Sequence, residues 1–131
     1  MTGTSENIQT RPSPEEGDQT TELARDIHAL LDERKAEDIT VIDLRDVNAY
    51  FHLFLIATAT SQVHLKSLVR DIHKELGHRL PRGEGVVRAE DVGSGWVALD
   101  FIDVVVHLFL KEQRGFYNLE RLWGDAARLE F

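Results

Sequence analysis

The sequence predicts a two-layer α+β domain, a mixed β-sheet packed by helices, and three observations carry that prediction. Apolar residues recur at helical spacing in two separate segments, 23–31 and 65–76. Short β-branched or apolar runs of strand length lie between and after them, giving the order αββα(β)ββα. The chain has 131 residues, about one domain and too few for two ordinary ones.

Residues 1–20 read as a disordered acidic tail. They hold one strongly apolar residue past the initiator, Ile8, and two of the three prolines, too little apolar surface to offset the entropy of ordering. Order is expected over 21–124. Thr20 or Thr21 supplies an N-cap, and Leu23, Ile27, Leu30 and Leu31 form the apolar stripe of a helix ending near Lys35. The β-branched run 39–44 reads as a strand and 46–49 as a turn. Residues 51–57 are apolar on both faces except at His52, the pattern of a strand covered on two sides. Thr60 or Ser61 caps a second helix carrying Leu65, Leu68, Val69, Ile72 and Leu76, and Gly77 ends it.

Residues 78–85, with Pro81, Gly83 and Gly85, read as a loop, and 86–89 as a short strand. After a turn at Gly93-Ser94-Gly95, two antiparallel strands are expected at 96–101 and 104–110. Phe116, Leu119, Leu122 and Trp123 keep helical spacing within 111–123, which leaves 125–131 as a fraying C-terminal tail. No internal repeat is present.

Fifteen lysines and arginines face 23 aspartates and glutamates, a formal net charge of −8. In the tail, Arg11 stands against Glu6, Glu15, Glu16 and Asp18, so −5 remains on the rest of the chain. That balance disfavours phosphate-led nucleic-acid binding, which depends on lysine and arginine displacing counterions. A protein with a basic face suits the chain better. The absence of cysteine excludes disulfides, thiol catalysis and Cys-ligated metal sites. No apolar run approaches the roughly 20 residues of a membrane-spanning helix. The N-terminus lacks the pattern of a signal or transit peptide, so a cytoplasmic address is expected.

Candidate chemistry is sparse. The six histidines include no HExxH or HxH pair. Ser61 and His64 share a helical turn, but Ser61 is more simply an N-cap. The pairs Asp43/Asp46 and Asp100/Asp103 stand near strand ends, where carboxylates can hold Mg²⁺ for phosphoryl transfer. Against this, neither Gly83-Glu84-Gly85 nor Gly93-Ser94-Gly95 leads into a helix as a phosphate-cradling loop would, and aspartate is common in turns. A richer signal is the mixture of aromatic and charged residues at Trp96, Phe101, Phe109, Phe116, Tyr117 and Trp123, with Arg114, Glu120 and Arg121 between them. Tyr117 falls one position off the apolar stripe and is expected to be partly exposed. Such combinations mark protein interfaces.

These residues also resemble a known family. The segment Lys35-Ala36-Glu37-Asp38-Ile39-Thr40-Val41-Ile42-Asp43-Leu44, the later Ile56-Ala57-Thr58-Ala59-Thr60-Ser61 with His64, and Gly95-Trp96-Val97-Ala98-Leu99-Asp100-Phe101 follow one pattern. So do Asp103-Val104-Val105-Val106-His107-Leu108-Phe109 and Arg114-Gly115-Phe116-Tyr117-Asn118-Leu119-Glu120-Arg121-Leu122-Trp123. Over roughly 22–123 the chain is similar to the ribosomal silencing factors, or Iojap-related proteins.

The resemblance implies a nucleotidyltransferase-like fold without the catalytic motif, no cofactor and no metal. It also implies binding to a basic protein of the large ribosomal subunit, on the face where the small subunit docks. Such binding blocks subunit joining and represses translation when nutrients are scarce. The expected interface comprises Trp96 and Tyr117 as apolar anchors, Asp100, Asp103 and Glu120 as partners for lysine or arginine, Arg114 as an orienting donor, and His107 and His64. Little direct nucleic-acid contact and no membrane contact are expected. Two competing expectations are a Mg²⁺-dependent nucleotidyl or phosphoryl transferase using Asp100 and Asp103, and a homodimer of the free protein built on the aromatic strip. The chain departs from the family pattern at His52, usually acidic, and at Ala59 and Ile102, usually glycine. A β-branched residue does not adopt φ > 0 cheaply, so the turn at Ile102 is expected to be rebuilt.

Overall fold

The structure, a computed structural model, describes residues 14–48, 52–80 and 89–131. Its elements in chain order are α1 (Pro14–Glu33), β1 (Glu37–Asp43), β2 (Leu53–Ala59) and α2 (Gln62–Leu76), then a 3₁₀ turn (Gly77–Arg79) and α3 (Ala89–Ser94). β3 (Trp96–Asp100), β4 (Val104–Leu110), α4 (Lys111–Tyr117), α5 (Leu119–Leu122) and β5 (Ala127–Leu129) follow.

The strands form one five-stranded mixed sheet among the described residues, in the order β3-β4-β2-β1-β5. β2 and β4 at its centre run parallel, and every other pairing is antiparallel. All seven residues of β2 are buried, as its two-sided apolar sequence predicts.

The two faces of the sheet are covered unequally. Leu23, Ile27 and Leu31 of α1 and Leu65, Leu68 and Ile72 of α2 pack on Leu53, Leu55, Val97, Leu99, Val104, Val106 and Leu108. Opposite lies a smaller cluster of Ile42, Phe54, Ile56, Val105 and Phe109, against which Leu119, Trp96 and Trp123 pack. Two short helices cannot cover five strands: on the edge strand β3, Ala98 and Asp100 stay exposed.

Several sequence expectations are corrected. α1 begins at Pro14, so 14–20 are helical and Thr20 is a buried residue inside the helix rather than its cap. Proline suits a first helical position because its missing N–H has no intrahelical partner there. Residues 125–131 do not fray as a whole, since β5 pairs Val41↔Leu129 and Asp43↔Ala127. Phe131 follows, with its ring 4.8 Å from the Arg25 guanidinium carbon and 5.6 Å from the His28 ring. A three-residue strand has no period for sequence reading to detect.

The expected helix over 111–123 is interrupted at Asn118, which sits at φ +48° and ψ +58° and accepts from Arg121 N–H. That break resets the helical phase. Of the expected buried stripe, Leu119 is buried, whereas Phe116 and Leu122 are 81% and 70% exposed. The expected strand at 86–89 lies outside the described residues except for Ala89, which begins α3. The assigned tail over 1–13, the end of the 46–49 turn, the start of the 51–57 strand and most of the 78–85 loop also lie outside them.

The turn at Ile102 is not rebuilt. Ile102 takes φ +76° with its side chain 63% exposed. The conformation is held by Ile102 N–H to Asp100 Oδ1 (2.7 Å), Phe101 N–H to Val104 O (2.8 Å) and Asp103 N–H to Phe101 O (3.0 Å).

Ser61 caps α2 as its sequence predicts, accepting from His64 N–H at 3.0 Å. Ser61→Ala should lower stability by about 1 kcal/mol in denaturant unfolding. An unchanged midpoint would show the cap to be dispensable.

Candidate docking face of the sheet

Strand alternation puts Trp96, Ala98 and Asp100 of β3 on the sparsely covered face, while Val97 and Leu99 point into the main core. On β4 the same alternation brings Val105, His107 and Phe109 to that face. The Trp96 ring stacks on Phe109 at 5.1 Å and lies 4.4 Å from Tyr117, which meets Phe116 edge-on at 5.1 Å. Phe54 meets His107 at 4.5 Å and Trp123 at 6.2 Å. Tyr117, off the stripe as the sequence predicts, is 46% exposed. Beside it, Gly115, Phe116, Tyr117, Asn118, Arg121 and Leu122 line an open depression of about 550 Å³.

The structure divides the eight expected interface residues into two groups. Trp96, Tyr117, Asp100 and Asp103 reach the surface of this face or its rim. Asp103 sits at the β3–β4 turn, its Oδ1 3.1 Å from His52 Nδ1.

Arg114, Glu120, His107 and His64 are engaged inside the fold. Arg114 Nη1 donates to Asp38 O (2.7 Å) and Thr58 Oγ1 (2.8 Å). Its Nη2 donates to Thr40 Oγ1 (3.1 Å) and Glu120 Oε2 (2.8 Å), and its Nε to Glu120 Oε1 (3.4 Å). Five contacts use the five donors of a guanidinium. They tie α4 and α5 to β1 and β2. The Arg114 hydrogen bond holds the Glu120 carboxyl below its ordinary pKa.

The register of β1 is irregular between Glu37 and Thr40, with Asp38 at φ +51°. A bulge here re-aims the Asp38 carbonyl toward Arg114. That contact spans 76 residues and has no local sequence signal.

His64 accepts from Thr60 N–H at Nδ1 (2.9 Å), and its Nε2 donates to Arg34 O (2.8 Å), joining the start of α2 to the end of α1. His107 is only 7% exposed. The Trp96 indole N–H donates to its Nδ1 at 3.2 Å, which leaves the ring proton on Nε2, a buried atom with no partner among the described residues. Burial pushes the imidazole pKa from 6.5 down to about 4, so the ring is neutral at physiological pH. It supports the aromatic surface from beneath.

The acid pairs are held in local contacts. Asp43 binds Arg45 through both carboxylate oxygens (2.9 and 2.8 Å), and Asp100 holds the Ile102 turn. No group of three or more His, Asp or Glu side chains converges as a metal site among the described residues.

Comparison with known proteins matches this architecture and these motifs. The family described as "Ribosomal silencing factor during starvation" matches residues 17–131. The chain belongs to the ribosomal silencing factor family. A relative from Bacillus subtilis, "Ribosomal silencing factor RsfS", is 38% identical over 108 residues, covering 79% of this chain and 87% of its own. The mouse "Mitochondrial assembly of ribosomal large subunit protein 1" is 35% identical over 96 residues, 72% of this chain and 42% of its own. A crystal structure of a protein from Chromobacterium violaceum superposes with a TM-score of 0.67 at 28% identity, covering 86% of this chain and 91% of that one. Within this silencing-factor chain, the face is buried along β2 and β4 and stays uncovered at the edge strand β3, beside the exposed Phe116 and Tyr117. Among the described residues, no helix is long and apolar enough to cross a membrane.

Proposed function

We propose that this silencing factor acts by occupation rather than catalysis. It docks the β3 edge of this sheet face, with the bordering α4–α5 residues, on a basic protein of the large ribosomal subunit, where the small subunit would bind, and so blocks subunit joining and represses translation under nutrient limitation. The observation that carries the reading is the incomplete cover of one sheet face, with Tyr117, Phe116 and Leu122 exposed at its helical border. Trp96 lies beneath Tyr117, and Asp100 and Asp103 form an acidic rim.

Aromatic anchors within a charged rim are the usual anatomy of a protein interface. The net charge of −8 favours a basic protein over ribosomal RNA. The mouse relative's name, which specifies the ribosomal large subunit, agrees in the choice of subunit. On this reading the protein works in the cytoplasm, without cofactor or membrane contact, and Arg114, Glu120, His107 and His64 shape the surface without touching the partner.

The chain is expected to co-sediment with isolated large subunits and to slow their joining with small subunits. Tyr117→Ala should weaken binding by about tenfold or more. Absence of binding at micromolar concentration, at both low and moderate salt, would sink the proposal. If the face serves instead for self-association, Tyr117→Ala would convert a dimer to a monomer in mass measurement while leaving subunit joining untouched.

A further inference from the structure

Ile102 carries two unfavourable features at one position. Its backbone lies at φ +76°, a region that β-branched residues avoid because Cβ crowds the neighbouring carbonyl. Its side chain, which gains nothing from water, is nevertheless 63% exposed. The turn is fixed from several sides at once. Ile102 N–H is held by Asp100 Oδ1, Phe101 N–H by Val104 O, Asp103 N–H by Phe101 O, and Leu53 N–H by Asp103 O at 3.0 Å. His52 Nδ1 lies 3.1 Å from Asp103 Oδ1. Strain that persists because its surroundings over-determine it points toward a function for the strained group.

The position supplies that function. Ile102 lies two residues beyond the end of β3, the edge strand on which Ala98 and Asp100 are exposed, between Asp100 at the strand end and Asp103 in the turn. We infer that Ile102 is a partner-contact residue that selects the docking protein. It offers an apolar surface for the aliphatic stem of a lysine or arginine on a basic ribosomal protein, and the cationic head of that side chain lies against Asp100 or Asp103. Long basic side chains bury their methylenes on apolar surface while keeping the charge beside polar groups, and Ile102 between two carboxylates matches both halves. The inference rests on the docking function proposed above and adds a contact beyond the aromatic anchors.

The test pairs two readouts on two variants of the full chain, Ile102→Gly and Ile102→Asn, with purified large subunits as the probe. Glycine accepts φ > 0 without crowding, and asparagine tolerates it better than isoleucine does. Both variants should therefore melt a few degrees higher than the unaltered chain. Both should bind large subunits about tenfold more weakly, as expected for loss of one well-placed contact. A residue with a purely structural role would raise the melting temperature and leave affinity unchanged.

Asparagine keeps the turn ordered, so weaker binding by both variants assigns the loss to the missing apolar side chain rather than to a loosened loop. If both bind as the unaltered chain does while Tyr117→Ala does not, the inference about Ile102 falls and the docking function stands. If the glycine variant alone is weaker, the loss belongs to backbone order, and the inference falls again. Failure of the unaltered chain to bind at all overturns the function and this contact together.

Discussion

Replacing Arg114 with alanine is expected to destabilise the fold by about 3 kcal/mol, the lower end of the range for breaking a buried ion pair. The lower end applies because Arg114 and Glu120 keep 11% and 25% of their side-chain surface exposed. The loss exceeds that of one salt bridge. Arg114 satisfies the Asp38 carbonyl in the β1 bulge, two threonine hydroxyls and both oxygens of Glu120, so its removal leaves acceptors on three elements unpaired. Arg114→Lys should recover only part of the loss, since an ammonium keeps the charge without the planar fork. Urea unfolding measures both variants. A change below about 1 kcal/mol for the alanine variant would mean that the clamp contributes no more than an exposed pair. Docking should weaken in parallel, because the same clamp sets the position of Tyr117.

Acidification is expected to remove stability through His107. The folded pKa is about 4, against an ordinary value of 6.5. Between these values the unfolded chain binds a proton that the folded chain does not, so the free energy of unfolding falls as pH drops from 6.5 toward 4. The full contribution is about 3 kcal/mol, present above pH 6.5, and about 2 kcal/mol of it is gone by pH 5. The cause is burial beneath the aromatic cluster, where an imidazolium would lose its hydration and Nδ1 could no longer accept from the Trp96 indole. Comparing the slope of stability against pH for the unaltered chain and His107→Gln isolates this group from the carboxylates, which are common to both. Equal slopes would show that His107 titrates alike in the folded and unfolded states.

The fold was largely legible from periodicity. The stripes Leu23–Leu31 and Leu65–Leu76 and the Ser61 cap are local patterns fixed by side-chain spacing and form where that spacing places them, while the strand expected at 51–57 forms two residues later, at Leu53–Ala59. Reading failed where a non-local partner or a single left-handed residue decides. β5 exists because the β1 edge accepts three residues. The C-terminal helix is broken because Asn118 enters the left-handed region and changes the direction of the chain.

The candidate site shows the same division. Exposure of Tyr117 followed from its offset along the helix, but the inward engagement of Arg114, Glu120 and His64 did not. The contacts of Arg114 reach across as many as 76 residues, and a sequence gives no sign of whether a surface-type residue turns inward to meet them. Ile102 is a harder case still. Its residue type argued for a rebuilt turn, yet hydrogen bonds donated to Asp100 Oδ1 and to the β4 backbone carbonyl of Val104 hold it at φ +76°.

By itself the sequence determined the α+β architecture, the family and the net acidic charge. These follow from spacing, motif order and charge, none of which depends on distant contacts. Only the tertiary structure decided that the sheet stays uncovered at its β3 edge and which charged residues are engaged inside the fold. α1 and α2 fill one face, and the short α4–α5 pair cannot fill the other. The clamp that anchors this pair turns Arg114 and Glu120 inward, while Tyr117, Asp100 and Ile102 stay exposed near the β3 edge.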